Sequence, residues 1–224
     1  MGKPVKLTDQ TTPWFQRELK RRIGVRILLQ RILIVCEGKK TEPNYFEALK
    51  AHLPKQMVEL DICGDGFNTV SLVEQAIALR DAKKDTEQPY DQIWAVFDCD
   101  SFKANFDNAI YKAEANDIKC AWTNEAFELW YVLHFEYRNT PMPREDYERR
   151  LEELMQRPYV KKAPDMYQEL AKKGDQARAI QWARKLEEER KAAGLSPLQA
   201  NPCTTVSELV DRLNEFRPRR VTGT

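Results

Sequence analysis

The sequence predicts an α/β protein: a mostly parallel sheet sandwiched by helices, with a C-terminal helical subdomain. Three observations predict it. Short, continuous apolar runs recur between residues 31 and 136, which is the pattern of strands covered on both faces. Segments of helical spacing separate those runs, and strand–helix alternation builds parallel sheets. Beyond residue 136 every periodic segment reads as helix.

Arg31-Ile-Leu-Ile-Val-Cys36 is the first strand. Residues 42–53 form a helix with Tyr45, Phe46, Leu49 and Leu53 on one face, and Thr41 with Pro43 marks its start. Val58–Cys63 is the second strand, stopped by Gly64-Asp65-Gly66. Residues 69–84 return to helix, with Val70, Val73, Ile77 and Leu79 as the expected apolar set. Gln92–Phe97 is the third strand, 103–116 a helix, Ile118–Trp122 the fourth strand, and an apolar helix begins at Phe127–Phe135. Helices are then expected over 144–156, 164–173, 175–193 and 205–216. The expected organisation is a basic arm over 1–30, an α/β domain over 31–136 and a helical subdomain over 137–224.

Charge narrows the function classes. Lys+Arg total 36 against 35 Asp+Glu, a net charge of +1. Any nucleic-acid contact must therefore come from local clusters rather than a uniformly basic coat. One such cluster is the arm, where Lys3, Lys6, Arg17, Lys20, Arg21, Arg22 and Arg26 outweigh Asp9 and Glu18; it reads either as a solvated tail or as a segment ordered on a partner. No apolar run reaches the roughly 20 residues of a membrane span, and the N-terminus lacks a signal-peptide core. The five cysteines, at 36, 63, 99, 120 and 203, include no CxxC pair. They read as buried reduced thiols of a cytoplasmic protein rather than as a zinc site.

The chemistry lies after the strands, where parallel α/β sheets bind ligands. Strand one leads into Glu37-Gly38-Lys39-Lys40-Thr41-Glu42, strand three into Asp98-Cys99-Asp100-Ser101, and strand four into Thr123-Asn124-Glu125 with Glu128 a turn further on. Carboxylates gathered at one edge repel each other, and a cation relieves this; all-oxygen donors select Mg²⁺ or Mn²⁺. Asp98 and Asp100, two residues apart, point the same way on leaving a strand. Lys39 and Lys40 are placed to neutralise phosphate, and Gly38 is expected to let the backbone turn tightly. Each carboxylate alone also reads as a helix cap. Glu128 sits in an apolar stretch and must be paired or functional. His134 reads either as a catalytic group or as a satisfied core histidine.

These residues carry a resemblance. Glu37-Gly38 after one apolar strand and Asp98-x-Asp100 after another resemble the signature of the Toprim fold. Three longer stretches, from Arg31 to Glu47, Asn124 to Glu136 and Asn201 to Asn214, resemble the RloB-like (AbiL-type) Toprim proteins of bacterial defence loci. The resemblance implies a Mg²⁺- or Mn²⁺-dependent nuclease acting as an abortive-infection, anti-phage effector, with RNA such as tRNA, or DNA, as substrate. It implies Glu37 as acid/base or metal ligand and Asp98 and Asp100 as metal ligands. Glu128 and His134 match the family's ELW glutamate and HF histidine, and Glu42 is expected to help line the site. Lys161 and Lys162, in a matching basic element, read as phosphate contacts or as a solvated cluster. The same matching stretches give Asn44 and Tyr45 the role of fixing the first helix against the sheet. The resemblance also implies an ATPase partner encoded nearby, and a homodimer. Where the family often carries an acidic residue this chain has Lys39, and where it has proline this chain has Glu125. A haloacid-dehalogenase-type phosphatase is disfavoured, because its Asp-x-Asp pair lies after the first strand and Glu37-Gly38 would have no role. The alternative to an enzyme is a non-catalytic subunit that binds and regulates an ATPase.

Overall fold

A computed structural model describes residues 29–64, 66, 69–99 and 103–217 of the 224-residue chain. The basic arm up to residue 28 and Asp100 lie outside the described residues. The described strands are β1 (Gln30–Cys36), β2 (Val58–Gly64), β3 (Gln92–Asp98), β4 (Lys119–Asn124) and β5 (Cys203–Thr204). The helices are α1 (Thr41–Lys50), α2 (Thr69–Lys84), α3 (Phe106–Glu114), α4 (Glu128–Val132), α5 (Arg144–Met155), α6 (Met166–Lys173), α7 (Gln176–Ala192) and α8 (Val206–Asn214).

The strands form one sheet in the order β2-β1-β3-β4-β5. The first four are mutually parallel, and β5 pairs antiparallel with β4. The expected mostly parallel sheet flanked by helices is therefore the fold the chain adopts. The apolar run of β1 explains why both faces are covered. Ile32, Ile34 and Cys36 face a core shared with Tyr45, Phe46 and Leu49 of α1. Leu33 and Val35 face a second core with Leu72, Val73 and Ala76 of α2 and Phe106, Ala109 and Ile110 of α3. Alternate side chains of a strand point to opposite faces, so a run without polar residues needs helices on both.

Two expectations change. The buried stripe of α2 is Thr69, Leu72, Val73 and Ala76, an i, i+3, i+4, i+7 set; Val70, Ile77 and Leu79 are only partly buried at its margins. The chain after residue 136 is also not purely helical, because β5 adds a strand to the sheet. Thr123 and Thr204 pair through their hydroxyls at 2.9 Å, and the Thr205 hydroxyl accepts from the Trp122 N–H at 2.9 Å. A two-residue strand is too short to show periodicity. Residues of α5 to α8, including Tyr147, Leu170, Leu186 and Leu213, join the same core cluster as α1 and α4. No helix among the described residues is long and apolar enough to cross a membrane, and no disulfide links the five cysteines.

Candidate functional site

The sheet order sets the position of the site. From β1 the chain moves outward to β2, then crosses back over β1 to β3 and continues to β4. The crossover reverses between β1 and β3, the switch point at which open parallel sheets leave a crevice beyond their carboxyl ends. Glu37 comes directly after β1 and Asp98 ends β3, so both stand at that crevice. The backbone there is well fixed: the Glu37 N–H donates to the Val96 carbonyl at 2.9 Å, and the Cys99 N–H to that of Thr123 at 2.8 Å. The crevice is a cavity of about 190 Å³.

Glu37 ties three elements together. One carboxylate oxygen accepts from the Asp98 N–H at 3.1 Å, and the other accepts from the Thr69 hydroxyl at the start of α2, also at 3.1 Å. Glu42 enters from the first turn of α1 and is 6% exposed. Its carboxylate lies directly over Gly38, where a Cβ would stand 2.0 Å from Oε2. Gly38 does not have positive φ, unlike Gly66 and Gly194. Space for the Glu42 carboxylate, rather than a tight turn, requires glycine there.

Asp98 is 7% exposed, and Arg144, at the start of α5, approaches its Oδ2 to 3.6 Å. Glu128 opens α4, is 1% exposed and accepts the Tyr159 hydroxyl at 2.8 Å. Glu42 Oε2 and Asp98 Oδ1 are both buried with no hydrogen-bond partner. Buried polar atoms are rarely left so. Burial, and then the neighbouring carboxylates, explain the electrostatics. Desolvation first, then Glu42 and Glu128, push the Asp98 carboxyl well above the usual carboxylate range, against the pull of Arg144. Glu42 is likewise raised by burial first and by Glu128, opposed by its own backbone hydrogen bond and by Lys161 and Arg144.

The rim is basic. Lys39 and Lys40, and from the helical half Lys161 and Lys162, are exposed and line the opening. The second pair is held there by its backbone: Thr41 Oγ1 donates to the Lys161 carbonyl at 2.8 Å, and the Asn44 amide to that of Lys162 at 3.1 Å. Residues 159–162 thus form a strap from the C-terminal half across the start of α1. Asn44 fixes this strap rather than seating α1 against the sheet. Tyr45 does pack in the core, edge-on to Phe46, Phe127 and Trp130.

The structure thus gathers Glu37, Asp98, Glu128, Lys39, Lys40, Lys161 and Lys162 around one cavity. His134 is not among them. It lies just beyond α4, is 3% exposed, packs edge-on to Trp130, and shares a 2.9 Å hydrogen bond between Nδ1 and the Trp130 carbonyl. Burial lowers its pKa to about 4. It borders a separate cavity with Tyr167, Gly174 and Arg217, so the core-histidine alternative is the one the fold adopts. Sequence reasoning missed Arg144 and Thr69 as site residues, and named Tyr159 only as the start of the basic element that holds Lys161 and Lys162. All three reach the site across long separations in the chain.

Among the described residues, no three His, Cys, Asp or Glu side chains are already arranged to hold a metal ion. The donor set is nonetheless all oxygen, with two orphaned buried carboxylate oxygens, and that chemistry fits a hard divalent cation. In comparison with known proteins, a family model described as RloB-like protein matches residues 32–213. No curated protein and no solved structure matches the chain.

Proposed function

Because the chain belongs to the RloB-like family, which is associated with defence loci, we propose that the crevice is the active site of a divalent-metal-dependent nuclease of Toprim type. The observation that carries this reading is the pairing of an acidic floor with a basic rim. Glu37, Glu42, Asp98 and Glu128 lie below, and Lys39, Lys40, Arg144, Lys161 and Lys162 surround them. A phosphodiester brings negative charge to the lysines while the carboxylates demand a cation, so the two charge layers are complementary to a metal–phosphate pair.

Glu37, Asp98 and Asp100 would hold Mg²⁺ or Mn²⁺, and the bound ion would supply Lewis-acid polarisation of the phosphate and an activated water. The chain's own residues do the rest. Lys39, Lys40, Lys161 and Lys162 draw the phosphate backbone to the opening of the cleft and hold it there. Tyr159 fixes the Glu128 carboxylate by its hydroxyl. Glu37, oriented by Thr69 and the Asp98 N–H, serves as proton acceptor or metal ligand. The biological role on this reading is abortive-infection defence, with RNA such as tRNA, or DNA, as substrate and a neighbouring ATPase as regulator.

The test is cleavage of mixed tRNA and of plasmid DNA with Mg²⁺ or Mn²⁺, with and without the ATPase. Wild type is expected to cleave one of them, and Glu37→Ala or the Asp98→Ala/Asp100→Ala double variant to lose cleavage while remaining folded. Equal cleavage by wild type and variants overturns the site. No cleavage under any condition, with no metal bound, favours a non-catalytic subunit that regulates the ATPase.

A further inference from the structure

The strongest unexplained feature of the cleft is Glu42. A glutamate on the first turn of a helix needs no burial, since helix N-termini stabilise carboxylates in solvent. Here the side chain is folded inward instead, over a residue that must be glycine to admit it. It ends 6% exposed beside two other buried carboxylates, with Oε2 lacking any partner. Asp98 presents a second orphaned oxygen, Oδ1, to the same cavity. Glu128, 1% exposed, lines that cavity too and accepts the Tyr159 hydroxyl at Oε1.

Three carboxylates held in one buried cluster carry a large desolvation cost unless something neutralises them. Arg144 approaches Asp98 at Oδ2, on the other side of that carboxylate from the orphaned Oδ1, and the rim lysines stand at the opening. We propose that Glu42, Asp98 and Glu128 form a divalent-cation position additional to that of Glu37, Asp98 and Asp100, with Asp98 common to both. Hard oxygen donors without nitrogen or sulfur select Mg²⁺ or Mn²⁺. Because no three of the described donors are pre-assembled, the carboxylates must draw together as the ion enters, and Asp98 must exchange part of its contact with Arg144 for the metal. The inference deepens the nuclease reading by adding Glu42 to its machinery, and it rests on that reading only for its catalytic meaning.

The test uses the full chain and Mn²⁺ alone, without nucleic acid, by titration calorimetry and by the electron-spin signal of free Mn²⁺. Glu42→Gln is expected to weaken one Mn²⁺ position at least ten-fold, and to remove the Mn²⁺-dependent rise in melting temperature. Glu47→Gln, on an exposed residue of the same helix, is expected to bind as wild type does. Glu128→Gln supplies an independent variant and is expected to show the same loss. Wild-type Mn²⁺ binding by folded Glu42→Gln and Glu128→Gln overturns the proposal, as does the absence of Mn²⁺ binding by wild type at millimolar concentration. The two readings separate cleanly: loss of Mn²⁺ in Glu42→Gln with no cleavage by wild type sinks the nuclease reading alone, whereas cleavage by wild type with unaltered Mn²⁺ binding in Glu42→Gln sinks this one alone.

Discussion

Gly38→Ala isolates the role of Glu42 without removing any carboxylate. The new methyl would stand 2.0 Å from Glu42 Oε2, 2.8 Å from Cδ and 2.9 Å from Oε1, where ordinary contact begins at 3.4 Å. The carboxylate must therefore retreat by about 1.4 Å or leave the cleft. All three obstructing atoms are the tip of one flexible side chain, so the backbone need not move. Since Gly38 does not have positive φ, alanine also restricts the unfolded chain, worth about 0.4–1 kcal/mol of stability. Metal-free Gly38→Ala should melt at or a few degrees above wild type. Displacing a reacting group by about 1 Å costs on the order of 100-fold in rate, and a loss of cleavage on that scale is expected. A double-mutant cycle read by Mn²⁺ titration and cleavage tests the cause. In a Glu42→Gln background, the extra loss from Gly38→Ala should fall to about three-fold or less, because its target is already neutral. Full wild-type metal binding in Gly38→Ala, or an undiminished loss when Glu42→Gln is already present, refutes the steric reasoning.

Two further outcomes are expected. His134 is buried and neutral in the fold, with its pKa lowered from 6.5 to about 4, so it contributes stability above pH 6.5 that is lost as pH falls toward 4. The stability gap between wild type and His134→Gln, from urea unfolding, should shrink by about 3 kcal/mol over that interval, and the folded variant should still cleave at pH 7; a gap independent of pH rules out the buried neutral ring. Replacing Lys161 and Lys162 by alanine in a Glu37→Ala background should lower the salt dependence of single-stranded RNA binding by about 1–2 in the log–log slope. An unchanged slope would show that the strap does not hold phosphate.

The fold was largely legible because β1 and β3 are nearly continuous apolar runs and β2 begins with apolar and acidic residues in alternation before its glycine stop. Arg31–Cys36, Val58–Cys63 and Gln92–Phe97 lie within a residue or so of the observed strands. The C-terminal strand was not legible, since two residues cannot express a period and Cys203–Thr204 is defined by its partner. The acidic positions were legible for the same topological reason: in a parallel sheet, the residues just past a strand stand at the ligand-binding edge. Glu42 was visible only as a residue lining the site, because its inward turn depends on the absent side chain of Gly38. Arg144 and Tyr159 reach the cleft from the helical half, and their contacts span 46 and 31 residues respectively. His134 misled because motif proximity to Glu128 says nothing about direction: its ring turns back onto Trp130, into the core.

The strap that closes the cleft has a consequence for the order in which the site comes into being. Thr41 and Asn44 wait for carbonyls 120 and 118 residues later in the chain. During synthesis at about 5–20 residues per second, the sheet carboxylates emerge roughly 3–12 s before Lys161 and Lys162. Through that interval Glu37 and Asp98 exist without the strap that lines their cleft, and Glu128 without the Tyr159 hydroxyl. On the nuclease reading, a nascent chain carries its acids and Lys39 and Lys40 first, and its phosphate-binding rim is complete only once the helical half has docked.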